Sequence, residues 1–122
     1  MTAFTELEFA ALDSIFSETP ELMLPLKQQL AVASVIGREN SGCGFCTTMV
    51  VSPDARLVSG PRVLGHQTHA RIVGLEHGLG FVLFLEDGRL HMLEAFAFES
   101  TGSIDLATAT FEVYREPVQH AD

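Results

Sequence analysis

The sequence predicts an α+β fold, with two N-terminal helices packed on an antiparallel sheet of about five or six strands built from hairpins. Three observations predict it. Apolar residues recur at helical spacing through the first thirty residues, β-branched and alternating runs take over afterwards, and Asp87-Gly88 stands between two long apolar runs as the turn of a hairpin. At 122 residues the chain suits one domain, able to bury roughly two-thirds of its unfolded surface without metals or disulfides.

In the first helix, over residues 2–16, Phe4, Leu7, Ala11 and Ile15 form the stripe that Phe9, Leu12 and Phe16 widen. Thr5 and Glu8 have capping-box spacing, and Thr2 is an alternative start. Thr19 can cap a second helix with Pro20 in its first turn. Leu24 precedes Pro25, so the expectation is a short turn at 20–23 followed by a separate helix, or a kink at the proline. Leu22, Met23, Leu26 and Leu30 make its buried side.

Strands are expected at Ala31 to Glu39, where Val32, Val35 and Ile36 accumulate, and at Phe45 to Ser52, with Asn40-Ser41-Gly42 turning between them. Residues 53–68 read as an irregular segment with room for one short strand, and His69 to Glu76 as a further strand. Ser100 to Asp105 is a polar connection to a closing strand at Thr108 to Tyr114. Gly42-Cys43-Gly44-Phe45 and Gly78-Leu79-Gly80-Phe81 echo one another ahead of apolar strands, suggesting two similar hairpins side by side.

The Asp87-Gly88 turn places Glu86 opposite Arg89, and regular pairing continues as Leu85 with Leu90, Phe84 with His91, Leu83 with Met92, Val82 with Leu93 and Phe81 with Glu94. One face then carries Phe81, Leu83, Leu85, Leu90, Met92, Phe96 and Phe98 together with Glu94. A carboxylate in that setting needs a partner or a proton. Structurally, Glu94 would accept hydrogen bonds from turn backbone or from Arg38, Arg62 or Arg71; functionally, it would be a general base or ligand anchor in a pocket. His91 is expected on the outer sheet face. Candidate binding residues are therefore Glu94, Arg71, Arg38 and His91.

Sixteen acidic residues against seven Lys and Arg give a net charge of −9, which repels polyanions and attracts a basic partner, so nucleic-acid binding is not expected. No apolar run approaches the roughly 20 residues that span a bilayer, and no basic leader precedes an apolar core. A cytoplasmic protein with no membrane association is expected, its two cysteines reduced. The partly apolar outer hairpin face of Val82, Phe84 and Leu93, or an edge strand, would also allow a homodimer.

Cys43-Gly-Phe-Cys46 lacks the strand-to-helix setting of a redox pair. With His66 and His69 it could supply four ligands to a zinc knuckle, although a chain with this much apolar sequence needs no metal to fold. No cofactor is expected. The G-x-S-x-G, H-E-x-x-H and P-loop patterns are missing, and His66, His69, His77, His91 and His120 are scattered.

The stretches RENSGCGF at 38–45 and GLGFVLFLEDGRLHMLEAFAFES at 78–100 resemble small bacterial α+β proteins of unassigned function, and the D-G hairpin followed by L-E and an aromatic-rich tail resembles immunity-protein families of bacterial toxin systems. The resemblance implies a non-enzymatic protein that binds and blocks a cognate toxin, setting an acidic surface against a basic site. It carries over no binding residues. The alternative is a small-ligand or metal-binding protein with a polar pocket around Glu94, with room for weak enzymatic activity around Glu94, Arg71 and the histidines.

Overall fold

The computed structural model describes residues 3–102 and 104–116. Helix α1 spans Glu6–Glu18 and begins with the expected capping box: the Glu8 backbone N–H donates to Thr5 Oγ1 at 3.1 Å, and the Thr5 N–H donates to Glu8 Oε1 at 2.8 Å. Thr2 lies outside the described residues. Leu7, Ala11, Leu12, Ile15 and Phe16 are buried, whereas Phe9 is about half exposed and packs on Phe4 at the edge of the stripe.

Helix α2, Pro20–Ala31, is one element rather than two and runs through Pro25. The missing N–H at Pro25 frees only the carbonyl of Glu21, an exposed residue of the first turn, where water can serve. Pro20 takes the first turn as expected, but the Thr19 side chain makes no capping bond.

The sheet contains β1 (Ala33–Asn40), β2 (Gly44–Val51), β3 (Val63–Leu64), β4 (Thr68–Ile72), β5 (Leu79–Glu86), β6 (Arg89–Phe96) and β7 (Phe111–Arg115). All pairs are antiparallel, in the order β1-β2-β6-β5-β4-β7, with the two-residue β3 also pairing with β5. The fold is thus α+β with its helices at the N-terminus, as the pattern of the chain predicts. The β1–β2 and β4–β5 hairpins implied by the glycine echo both form, but β6 lies between them. Phe96 of β6 faces Gly44 on one side and Gly80 on the other, and a Cβ at Gly80 would collide with the Phe96 ring.

Both helices cover one face of the sheet, α1 over β4, β5 and β7 and α2 over β6. Their buried stripe meets Phe45, Met49, Val51, Leu64, Ala70, Ile72, Leu79, Phe81, Leu83, Leu85, Leu90, Leu93 and Ala95. Each fully buried Leu or Phe contributes about 1.5–3 kcal/mol. Polar side chains then fix helices to strands. Buried Gln29 donates from Nε2 to the carbonyls of Arg56 and Gly88, each at 2.8 Å, and accepts the Leu90 N–H at 2.9 Å. Glu18 accepts the Gln67 N–H at 3.1 Å and the Thr68 hydroxyl, tying the end of α1 to the start of β4.

The hairpin departs from the expected register in one place, and that place changes the faces. The turn is as predicted, with Asp87 at φ 51° and Gly88 at φ 76°, both in the left-handed region that a type I′ turn requires. Glu86 pairs with Arg89 and Leu85 with Leu90, but Phe84 then pairs with Met92, Leu83 with Leu93, Val82 with Glu94 and Phe81 with Ala95. His91 is the extra residue of a β-bulge. Beyond it every β6 side chain lies on the face opposite to that of a regular ladder, so Leu93 and Ala95 enter the core and Glu94 leaves it.

The carboxylate that does lie in the core is Glu8, fully buried on α1. Arg38 reaches it from β1, with Nε donating to Oε2 at 2.9 Å and a terminal guanidinium nitrogen to Oε1 at 2.6 Å, and Thr47 of β2 adds its hydroxyl. Each oxygen therefore accepts two hydrogen bonds, counting the capping bond from Thr5. Among the described residues no helix is long and apolar enough to cross a membrane.

Candidate functional site

Among the described residues no helix packs on the other face of the sheet, and the residues of that face follow from the register. Glu39, Cys46, Glu94 and Val82 form one row across β1, β2, β6 and β5, and Thr48, Met92 and Phe84 form the next. On the opposite side of that first row, Phe96 faces Gly80, which faces His69, which faces Tyr114. Val82, Phe84, Met92 and Phe96 are each half-buried, giving an apolar strip across the middle strands. Phe98, 84% exposed, extends the strip and meets the Phe96 ring edge-on.

Glu94 is half-buried at the centre of this face, and none of Arg38, Arg62 or Arg71 reaches it. Its neighbour is Cys46, whose thiol donates to Glu94 Oε2 at 3.7 Å. Burial pushes the Cys46 thiol above its usual pKa, and the Glu94 and Glu39 carboxylates push the same way. Neither Glu39 nor Glu94 meets a cationic side chain within ion-pair distance among the described residues.

The other candidates are dispersed. Arg38 faces the opposite side of the sheet, where Glu8 occupies it. Together they line a hollow of about 450 Å³ beside Phe45 and residues 104–107, but the polar floor of that hollow is already satisfied from within the chain. Arg71 lies on the outer face over the Tyr114 ring at 4.2 Å and pairs with Glu112 at 2.5 Å, while His69 stacks on the same ring at 5.6 Å. These exposed contacts stabilise the β4–β7 edge modestly. His91, at the bulge, sets Nδ1 3.3 Å from Glu86 Oε2. It lines an open groove of about 400 Å³ with Arg62, Val63, Phe84, Leu85, Glu86 and Met92.

The four-ligand zinc site does not assemble. Cys43 is in the exposed turn before β2 and His66 in the exposed turn before β4. Cys46 and His69 share the outer face, but β6 and β5 intervene, which puts them roughly 14 Å apart at the usual strand spacing. No group of three or more His, Cys, Asp or Glu converges as a metal site among the described residues. His120 lies outside those residues.

Residue-by-residue reading missed Glu39 as the companion of Glu94 and Glu86 as the partner of His91. The first follows only from the order of β1, β2 and β6, whereas the second was available as a diagonal neighbour on the outer face of even a regular ladder. No protein family, curated protein or solved structure matches this chain.

Proposed function

We propose that the chain is a non-enzymatic, immunity-like interaction module that binds a basic protein partner through the outer face of its sheet. One observation supports this reading above the others: a sheet face with no helix over it among the described residues, on which half-buried Val82, Met92 and Phe96 adjoin Glu39 and Glu94, two carboxylates without cations opposite them among those residues. In a two-layer fold the outer face is ordinarily polar, and an apolar strip there fits burial by another molecule. Arginine or lysine side chains would complement the two carboxylates, while the strip would supply the desolvated centre that interfaces need.

The net charge of −9 favours a basic partner over a second copy, since two such faces would set like charges against each other. We place the protein in the cytoplasm, in keeping with two free cysteines, one of them exposed.

The test is affinity capture from lysate of the source organism at low and high salt, using the unaltered protein and a Glu39→Lys/Glu94→Lys variant. A basic protein retained in stoichiometric amount, weakened by salt and lost with the variant is the expected result. Retention that is indifferent to both salt and the variant would remove the outer face from the interaction.

A further inference from the structure

We infer that the groove at the turn end of the hairpin, bounded by β3, β5 and β6, is a binding site for an apolar carboxylate, either a free aromatic acid or the C-terminal residue of a peptide. The groove adjoins the acidic row around Glu94 and shares Met92 with the apolar strip, but binding there requires no protein partner. Its volume of about 400 Å³ falls in the range of small-ligand sites. Val63 of β3 pairs with Phe84 of β5, which pairs with Met92 of β6, so these three side chains form a continuous apolar floor.

Two groups on the rim suit an acidic ligand head. Arg62, exposed just before β3, forms no ion pair among the described residues, although its backbone carbonyl accepts the Leu85 N–H at 2.8 Å. Its planar guanidinium matches a carboxylate by two parallel hydrogen bonds. His91 stands at the rim because the bulge takes it out of the regular alternation of β6, a common use of bulges beside binding sites. With Nδ1–H of His91 directed at Glu86, Nε2 donates to a ligand carboxylate only in the imidazolium form, so Arg62 is the principal anchor of the acidic head.

Glu86 also limits the class of ligand. With Arg62, His91 and Glu86 on one rim, the groove carries at most one net positive charge. That balance suits a monoanionic carboxylate and disfavours a phosphate dianion.

The experiment is a titration followed by backbone amide NMR shifts, using N-acetyl-phenylalanine, its amide N-acetyl-phenylalaninamide, and a short phenylalanine-terminated peptide with a free or an amidated C-terminus. The expected result is saturable shifts at Val63, Phe84, His91 and Met92, with the acid at least about tenfold tighter than the amide, as one charge-assisted hydrogen-bond pair implies. Arg62→Ala, a change at an exposed position, should abolish that difference without weakening the amide. A peptide acid tighter than the free acid would identify a chain terminus as the ligand, and equal affinities a free small acid. No saturable shifts, shifts centred elsewhere, or equal binding of acid and amide would overturn the assignment.

Discussion

Glu8 and Glu94 lie on opposite faces of the same sheet, and the environments of the two carboxylates define what each face does. Glu8 is fully buried and accepts from Arg38, Thr47 and the capping N–H of Thr5. Glu94 is only half-buried, with a long thiol contact from Cys46 and no cation within ion-pair distance among the described residues. A buried charge has to be satisfied from within the chain, whereas a charge at the surface can wait for another molecule. The inner face is thereby satisfied within the chain, and the outer face is the one we propose for binding.

The sharpest way to break the contrast is Leu93→Glu, which puts a carboxylate at the core position that the bulge assigns to Leu93. The change combines a buried unpaired carboxylate with a lost core leucine and should cost more than about 4 kcal/mol. Urea unfolding with far-UV circular dichroism would measure it, and a loss below about 1 kcal/mol would mean that Leu93 does not face the core. Next is Glu8→Ala, which strands the Arg38 guanidinium and the Thr47 hydroxyl. Since the Arg38 side chain keeps 27% of its exposure, the loss should fall at the low end for a broken buried pair, about 3 kcal/mol by the same unfolding measurement.

Gln29→Ala tests whether polar pins of the inner face matter apart from charge. It removes three hydrogen bonds and leaves the buried Leu90 N–H without its acceptor, so a loss of about 2 kcal/mol is expected in urea melts. Glu94→Gln, by contrast, should change stability by less than about 0.5 kcal/mol, and a thermal midpoint lowered by many degrees would place Glu94 in the structure after all.

The smallest effect concerns Cys46. A raised pKa keeps its thiol protonated where an ordinary thiol begins to ionise, so iodoacetamide near pH 8 should modify exposed Cys43 before Cys46. Glu94→Gln removes part of the upward push and should speed Cys46 labelling a few-fold, read by peptide mass spectrometry, while burial keeps it the slower site.

Much of the architecture was legible from local chemistry. Thr5 and Glu8 mark the start of α1, Pro20 the start of α2, and Asp87-Gly88 the hairpin turn, because capping and left-handed turn conformations depend on residues a few positions apart. The site was less legible. Of Glu94, Arg71, Arg38 and His91, the structure sets Arg38 on the inner face and spreads the other three over the outer one. The sequence nevertheless held a signal: a regular ladder would bury Glu94 among Phe81, Leu83 and Met92, and burying a carboxylate without a partner costs more than one irregular residue.

The sequence by itself determined which segments are helix and strand, the hairpin turn and the acidity of the surface, since these follow from periodicity, turn chemistry and composition. Tertiary structure decided which face each β6 side chain occupies and which carboxylate Arg38 meets. The alternation of a strand has a period of two, so one bulged residue, chosen to bring Leu93 beside Thr47 and Leu83 in the core, reverses every assignment beyond it.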